Sequence, residues 1–272
     1  MKRKKIGYIF LLIIVVTILY FAEKYVDRQN EHYPDTSSLE VNPSAEFPEN
    51  LLPTSTTGAV VQHAYFTLSY MEAYEQAEWV AYELTKEQLS NNEYERPYFV
   101  EDRAVKTGSA DWRNYKNSGY DRGHLCPAGD RRFSYEAYHE TFLTSNISPQ
   151  NNEFNAGVWN YLEQKVRYWA QKYDGVYIVT GGVLKEGLPT IGEESVAVPQ
   201  EFYKIILDAS QGNYKVLAFL IPNTPSQKSF YEFVVTVDEI EAKTGIDFFS
   251  ALPDSIEDEF ESQIDLKNWG KH

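Results

Sequence analysis

Only one of the 272 residues is cysteine, Cys126. A single thiol excludes an internal disulfide framework and any zinc site built from several cysteines. Basic residues are outnumbered, with 25 Lys/Arg against 40 Asp/Glu and a formal net charge of −15. That is a poor balance for a chain whose partner is a polyanion. There is no internal repeat, no low-complexity tract and no carboxylate pair that stands out by its spacing. Apolar content is ordinary, at 43%, and the length supports one good-sized core once the ends are set aside.

What is present is unevenly placed. Arg96–Arg132 carries eight Lys/Arg against five Asp/Glu, whereas Ile246–Asp265 carries seven acids and no base. The acidic tail reads as solubilising surface. At the other end, Lys2-Arg3-Lys4-Lys5 precedes an apolar run of 17 residues, Ile6–Ala22. That is the lower limit for spanning a bilayer, and the four positive charges would stay cytoplasmic. The exit, Tyr20-Phe21-Ala22-Glu23, lacks small-residue cleavage spacing. An uncleaved single-pass anchor with the rest of the chain extracytoplasmic is therefore expected, and a cleaved signal is the alternative. Residues 23–57, with four prolines in Glu23–Gly58 and seven acids against two bases there, read as an acidic tether. Residues 58–272 form the folded body.

In that body, Val60–Leu68 and Glu78–Thr85 are rich in β-branched and aromatic residues and read as strands. Arg96–Lys116 is a long polar loop. Phe154–Tyr173 reads as a helix whose apolar face carries Val158, Leu162, Val166 and Trp169, and Gly175 ends it. Val176–Thr180 is a short buried strand. Tyr203–Asp208 and Tyr214–Ile221 flank a turn-rich pentapeptide and form a hairpin. Thr236-x-x-Glu239 opens a short helix that Gly245 stops. Strands and helices do not alternate regularly, so an α+β fold with a mainly antiparallel sheet is expected.

Chemistry concentrates in two blocks. The first is Tyr120–Asp130, YDRGHLCPAGD. A neutral His124 is a proton acceptor near pH 7. Arg122 offers a planar fork matched to phosphate oxygens, and its charge favours the neutral imidazole. The competing reading is a structural histidine. The second block opens at Ser145 and runs into the long helix. There Asn155 is either a helix-cap residue or an oxygen ligand for a hard divalent cation. Glu163 lies eight residues on, with Trp159 halfway, so the three form one stripe; it is either solvated or holds water beside a metal. Cys126, in a lone H-x-C followed by Pro127, reads as a small packing residue.

Together these blocks resemble the DNA/RNA non-specific endonuclease family, the endonuclease G-like ββα-metal or His-Me finger nucleases. DRGH at Asp121–His124 is the signature. SNISPQ at Ser145–Gln150 and N-x-G-x-W-x-x-L-E from Asn155 to Glu163 follow in order and spacing. HAY at His63–Tyr65, WVAY at Trp79–Tyr82, YIVTGG at Tyr177–Gly182 and VTVDEIEAKTG at Val235–Gly245 extend the resemblance over roughly Gly58 to Pro253. It implies a ββα-metal nuclease with the antiparallel sheet flanked by helices, cutting DNA and RNA without sequence preference. It implies His124 as general base, Asn155 as protein ligand of one Mg²⁺ (or Mn²⁺), and Glu163 acting through a water on that metal. Arg122 would contact the phosphate region. Arg96, in YERPYF, would stabilise developing charge, and Asp121 would be structural or support the ligand.

The acidic balance weakens sequence-independent affinity, which comes mostly from Lys/Arg contacts with phosphates. A local basic cleft around Arg96–Arg132 resolves the conflict. The alternatives are a nucleic-acid-binding pseudonuclease, an exported carbohydrate-active enzyme with paired carboxylates, and a structural envelope protein.

Overall fold

Seven strands form one sheet, and every pairing within it is antiparallel. They are β1 (Val60–Gln62), β2 (Thr67–Met71), β3 (Gln76–Thr85), β6 (Gly175–Gly182), β9 (Glu201–Asp208), β10 (Lys215–Pro222) and β11 (Val234–Val235), in that spatial order. Two further pairs stand apart: β4 (Asp121–His124) with β5 (Ile147–Gln150), and β7 (Thr190–Ile191) with β8 (Val196–Ala197). The helices are α1 (Tyr135–Glu140), α2 (Asn152–Phe154), α3 (Asn160–Tyr173) and α4 (Val237–Thr244). The computed structural model describes residues 15–17, 48, 51–209, 214–251, 261–264 and 266–270. The expected α+β class with an antiparallel sheet is what the chain adopts.

The chain divides into two units, Met1–Leu39 and Glu40–His272. Of the first, only residues 15–17 are described, a helical and exposed piece. The rest of the expected anchor lies outside the described residues. Among the described residues, no helix is long and apolar enough to cross a membrane.

The sheet is buried on both faces, and strand alternation sorts the two cores. Along β9, Phe202 and Ile206 belong to the cluster under α3, with Trp159, Leu162, Val166 and Trp169. Tyr203, Ile205 and Leu207 face the other cluster, with Trp79, Val237 and Ile240 of α4. A third cluster, including Phe99, Tyr115, Tyr138, Phe142 and Ile147, supports the β4–β5 pair.

Four local expectations change. Val60–Leu68 is two strands, because the chain turns at His63–Phe66, where Glu140 accepts the backbone N–H groups of Ala64 and Tyr65 at 3.1 and 2.9 Å. The helix expected over Phe154–Tyr173 is interrupted: Asn155–Trp159 forms a π turn, with Gly157 leaving helical geometry at φ −100°, ψ −113°. The helix ends at Tyr173 as expected, but the residue that closes it in the left-handed region is Asp174 (φ 67°), not Gly175. Leu51–Gly58, which composition assigns to the tether, is packed. Leu51 is buried, Trp79 Nε1 donates to the Thr54 carbonyl at 2.9 Å, and Thr56 N donates to Glu78 at 2.9 Å. The helix after Thr236 forms as expected, capped by Thr236 Oγ1 accepting from Glu239 N and closed by Gly245.

Candidate active site

The DRGH segment is β4, paired residue for residue with Ile147–Gln150: Asp121 with Gln150, Gly123 with Ser148, His124 with Ile147. Alternation sends Arg122 and His124 to one face and Asp121 and Gly123 to the other. Gly123 is required by closeness. A Cβ there would lie 2.2 Å from the Gln150 carboxamide, and Gln150 is itself fully buried. Directly after β5, Asn151 caps α2 by accepting from Glu153 N and Phe154 N. The capping role is thus filled by Asn151, which releases Asn155 from it.

His124 sits among aromatic rings and cations. Its ring centroid is 5.5 Å from that of Phe99 and 5.0 Å from that of Phe142. The Arg96 guanidinium lies 5.6 Å from both of those rings, and Arg122 lies 4.7 Å from the Phe99 ring and 5.8 Å from that of Trp112. Burial, then the charges of Arg96 and Arg122, hold the imidazole far below its ordinary value, at about 3. The ring is therefore neutral across physiological pH. Its Nε2 is buried without a hydrogen-bond partner among the described residues.

Asp121 organises the other face. Its carboxylate accepts from Asn152 Nδ2 at 3.1 Å and from Asn155 Nδ2 at 2.9 Å. Asn155 and Asp121 both line a cavity here. That cavity, about 450 Å³, is lined by Arg96, Trp112, Tyr115, Lys116, Tyr120, Asp121, Arg122 and Asn155. Three basic side chains and one acid meet in it, so the basic stretch of the sequence does form a basic cleft here. Not all of that stretch contributes. Arg131 is 1% exposed and instead donates to the Tyr65 and Glu83 carbonyls at 3.0 and 2.9 Å, under the Tyr82 ring.

The structure thus brings Arg96, Asp121, Arg122 and Asn155 onto one cavity, with His124 held beside Arg96 and Arg122. Glu163 is not among the residues lining that cavity. It is half-buried, with Lys204, Asp130 and Arg167 as charged neighbours; burial first, with Asp130, pushes its carboxyl up to about 7 against the opposing cations. Cys126 is fully buried, its thiol pushed up to about 12 by burial, as expected of a packing residue. Trp112, Tyr115, Lys116 and Tyr120 were not singled out by sequence reasoning. The available signal was their position in the polar stretch running straight into DRGH.

The sequence model of the DNA/RNA non-specific endonucleases matches residues 43–255. The chain belongs to this family. A mitochondrial nuclease EXOG of Danio rerio is 38% identical over 202 residues, a match spanning 68% of this chain and 59% of the relative. The chain thus covers less than two thirds of that protein's length. A nuclease of Nostoc sp. is 34% identical over 239 residues, covering 82% of this chain and 84% of the relative. Among solved structures, a chain in the crystal structure of the EndoG/EndoGI complex superposes with a TM-score of 0.66 and 31% identity, over 72% of this chain and 87% of that one. The ββα arrangement of β4, β5 and the helix that follows is therefore that of an endonuclease of this family, as the DRGH and Asn/Trp/Glu motifs imply.

Proposed function

We propose that this chain is a metal-dependent endonuclease that hydrolyses phosphodiester bonds in DNA and RNA without reading bases. The observation that carries the reading is an imidazole packed on the same Phe99 ring as Arg96 and Arg122, next to a cavity that those two arginines line together with Asn155. The donor set fits one hard cation: an amide oxygen aimed by the Asp121–Asn155 hydrogen bond, in a cavity whose remaining acid is Asp121. Asn155 would hold the ion directly and Glu163 through water. Mg²⁺, with Mn²⁺ as the substitute, supplies Lewis-acid stabilisation of charge on the phosphate oxygens when bound.

The chain's own residues do the rest. Arg122 and Arg96 take the non-bridging oxygens of the scissile phosphate, and their planar forks orient it in the cleft. His124, neutral and beside those arginines, would accept a proton from water as the water oxygen bonds to phosphorus. The P–O3′ bond then breaks with its electron pair on O3′, which takes a proton from solvent to become a 3′-hydroxyl, and the 5′-phosphate stays on the other product. No residue in this scheme contacts a base, which accounts for the absence of sequence preference. Nucleic acid is held by the local basic cleft despite the acidic total. The N-terminal segment would keep this domain at the outer face of the cell membrane, supported by Lys2–Lys5 ahead of the 17-residue apolar run.

Purified protein incubated with plasmid DNA and with RNA, in Mg²⁺ or in EDTA, tests the activity. Cutting of both in Mg²⁺ and of neither in EDTA is expected; intact substrates in Mg²⁺ and in Mn²⁺ would sink the proposal. Membrane fractionation tests the anchor, and recovery of a shortened soluble form outside the cell would replace it with a cleaved signal.

A further inference from the structure

Two acids stand side by side, Glu193 and Glu194, in the turn of the β7–β8 hairpin. Beside a cleft for a polyanion they run against the electrostatics of the site. The geometry supplies a reason for the second. Asp111 N donates to Glu194 Oε2 at 2.7 Å, and Asn114 Nδ2 donates to the same oxygen. In return Glu194 N donates to Asn114 Oδ1 at 3.1 Å. The Asn114 carboxamide thus bridges the backbone and the side chain of one glutamate. Asn114 is buried, whereas Glu194 is exposed.

The hairpin could not come this close with an ordinary residue in its turn. Gly192 is in the left-handed region at φ 69°, and a Cβ there would strike both the side chain and the Cα of Asn114. What the clasp holds is the short 3₁₀ turn Trp112–Tyr115. Asp111 starts that turn by accepting from Arg113 N at 2.6 Å, and its carbonyl accepts from Asn114 Nδ2 at 2.7 Å. Trp112, Tyr115 and the next residue, Lys116, line the active cavity, and Arg122 lies 5.8 Å from the Trp112 ring. Apolar packing backs the clasp, since Ile191 and Val196 of the hairpin share a core with Tyr115.

We infer that Glu194 is a positioning residue for substrate binding: with Asn114 it clasps the turn that walls the cleft, and so holds Trp112 and Lys116 where the strand flanking the scissile phosphate runs. This rests on the cleft being the nucleic-acid site. Glu194 is not among the residues that line the cleft, and it acts through the turn. A wall that meets the flanking strand does so equally in the ground and transition states, so its loosening should raise KM and leave kcat. Charge alone predicts the opposite sign, because removing an acid near a polyanion tightens binding.

Variants of the full chain separate the two. Glu194→Ala should raise KM for DNA about fivefold, the scale of a lost hydrogen bond, with kcat near wild type. Glu194→Gln keeps an accepting oxygen without the charge and should return KM to the wild-type value or below it. A second readout needs no activity. Four of the five tryptophans, Trp79, Trp159, Trp169 and Trp269, are fully buried, and Trp112 is half-buried. Acrylamide quenching of tryptophan fluorescence therefore reads Trp112, and its loss in Trp112→Phe fixes the assignment. Quenching should rise in Glu194→Ala and fall back in Glu194→Gln. Gly192→Ala strains the same contact from the hairpin side and should act like Glu194→Ala. Unchanged quenching in Gly192→Ala overturns the inference even where Glu194→Ala does not fold. So does a KM that stays level or falls in folded Glu194→Ala, or a loss confined to kcat. Failure of the wild type to cut any substrate, with the quenching changes intact, sinks the nuclease reading instead. Cutting with the quenching changes absent sinks only the role of Glu194.

Discussion

Two of the histidines of this domain, His63 and His124, sit in opposite surroundings. His63, in the turn between β1 and β2, has carboxylates on both sides: its Nε2 lies 2.8 Å from Asp102 Oδ2 and its Nδ1 lies 3.9 Å from Glu140 Oε1. Asp102 also accepts from the Ser145 hydroxyl at 2.5 Å. Burial favours the neutral imidazole, but the Asp102 hydrogen bond and the two negative charges outweigh it, and the affinity of His63 for its proton is raised. His124 has arginines instead, and both burial and charge lower its proton affinity. His63 therefore tends to keep its proton and ties the turn, the loop at Asp102 and α1 together. His124 stays free to accept one. A Ser–Asp–His constellation is usually read as catalytic equipment, yet here it is enclosed and structural. The histidine proposed as the base is the one whose charged neighbours are both arginines.

Substitution should separate the two residues cleanly. His124→Ala is expected to lower cleavage by about a thousandfold in the folded protein, within the usual range for a general base, and to destabilise it only through the packing lost against Phe99 and Phe142. Plasmid nicking assays and thermal unfolding read both sides of that statement. His63→Ala should do the reverse. It leaves Asp102 buried without its partner and should cost about 3 kcal/mol of stability, seen in urea titration, while the surviving folded fraction cuts at near wild-type rate. If His63→Ala abolished cutting in folded protein, the division of roles would fail.

A gentler break lies at Asp121, which holds Asn155 rather than the substrate. Asp121→Ala should free the Asn155 amide to rotate and weaken divalent-cation affinity by about tenfold, the usual scale for a residue that orients a ligand. Isothermal titration with Mg²⁺ measures this. An affinity equal to wild type would mean that the Asp121–Asn155 hydrogen bond does not aim the ligand.

These contrasts also show which parts of the molecule sequence could reveal. The antiparallel sheet was legible because its strands repeat apolar residues on both faces, and the helix stripe Val158–Leu162–Val166–Trp169 because its spacing is local. The DRGH histidine was legible as a candidate because glycine and arginine precede it. What stayed hidden depends on partners far along the chain. The turn at His63–Phe66 is fixed by Glu140, more than seventy residues away. Arg131 counts as basic in any composition, but it is core, satisfied by carbonyls of other segments. Asn155 was ambiguous between cap and ligand until Asn151 was seen to hold the cap.

The smallest expected effect is also the sharpest test of the comparison, because it depends only on sign. His63 has a raised proton affinity in the fold, so its contribution to stability is fully present below its unfolded value near 6.5 and is lost as pH rises through the folded value. His124 is depressed to about 3, so its contribution is present above about 6.5 and is lost as pH falls toward 3, where only the unfolded chain takes the proton. Urea unfolding of wild type, His63→Gln and His124→Phe between pH 5 and 8 isolates each residue as a difference curve. The wild-type advantage over His63→Gln should shrink toward alkaline pH. The wild-type advantage over His124→Phe should shrink toward acid pH, with a slope of at most about 1.4 kcal/mol per pH unit. Difference curves sloping the same way would show that the carboxylates around His63 and the arginines around His124 do not set their protonation. The assignment of the base would then rest on position alone.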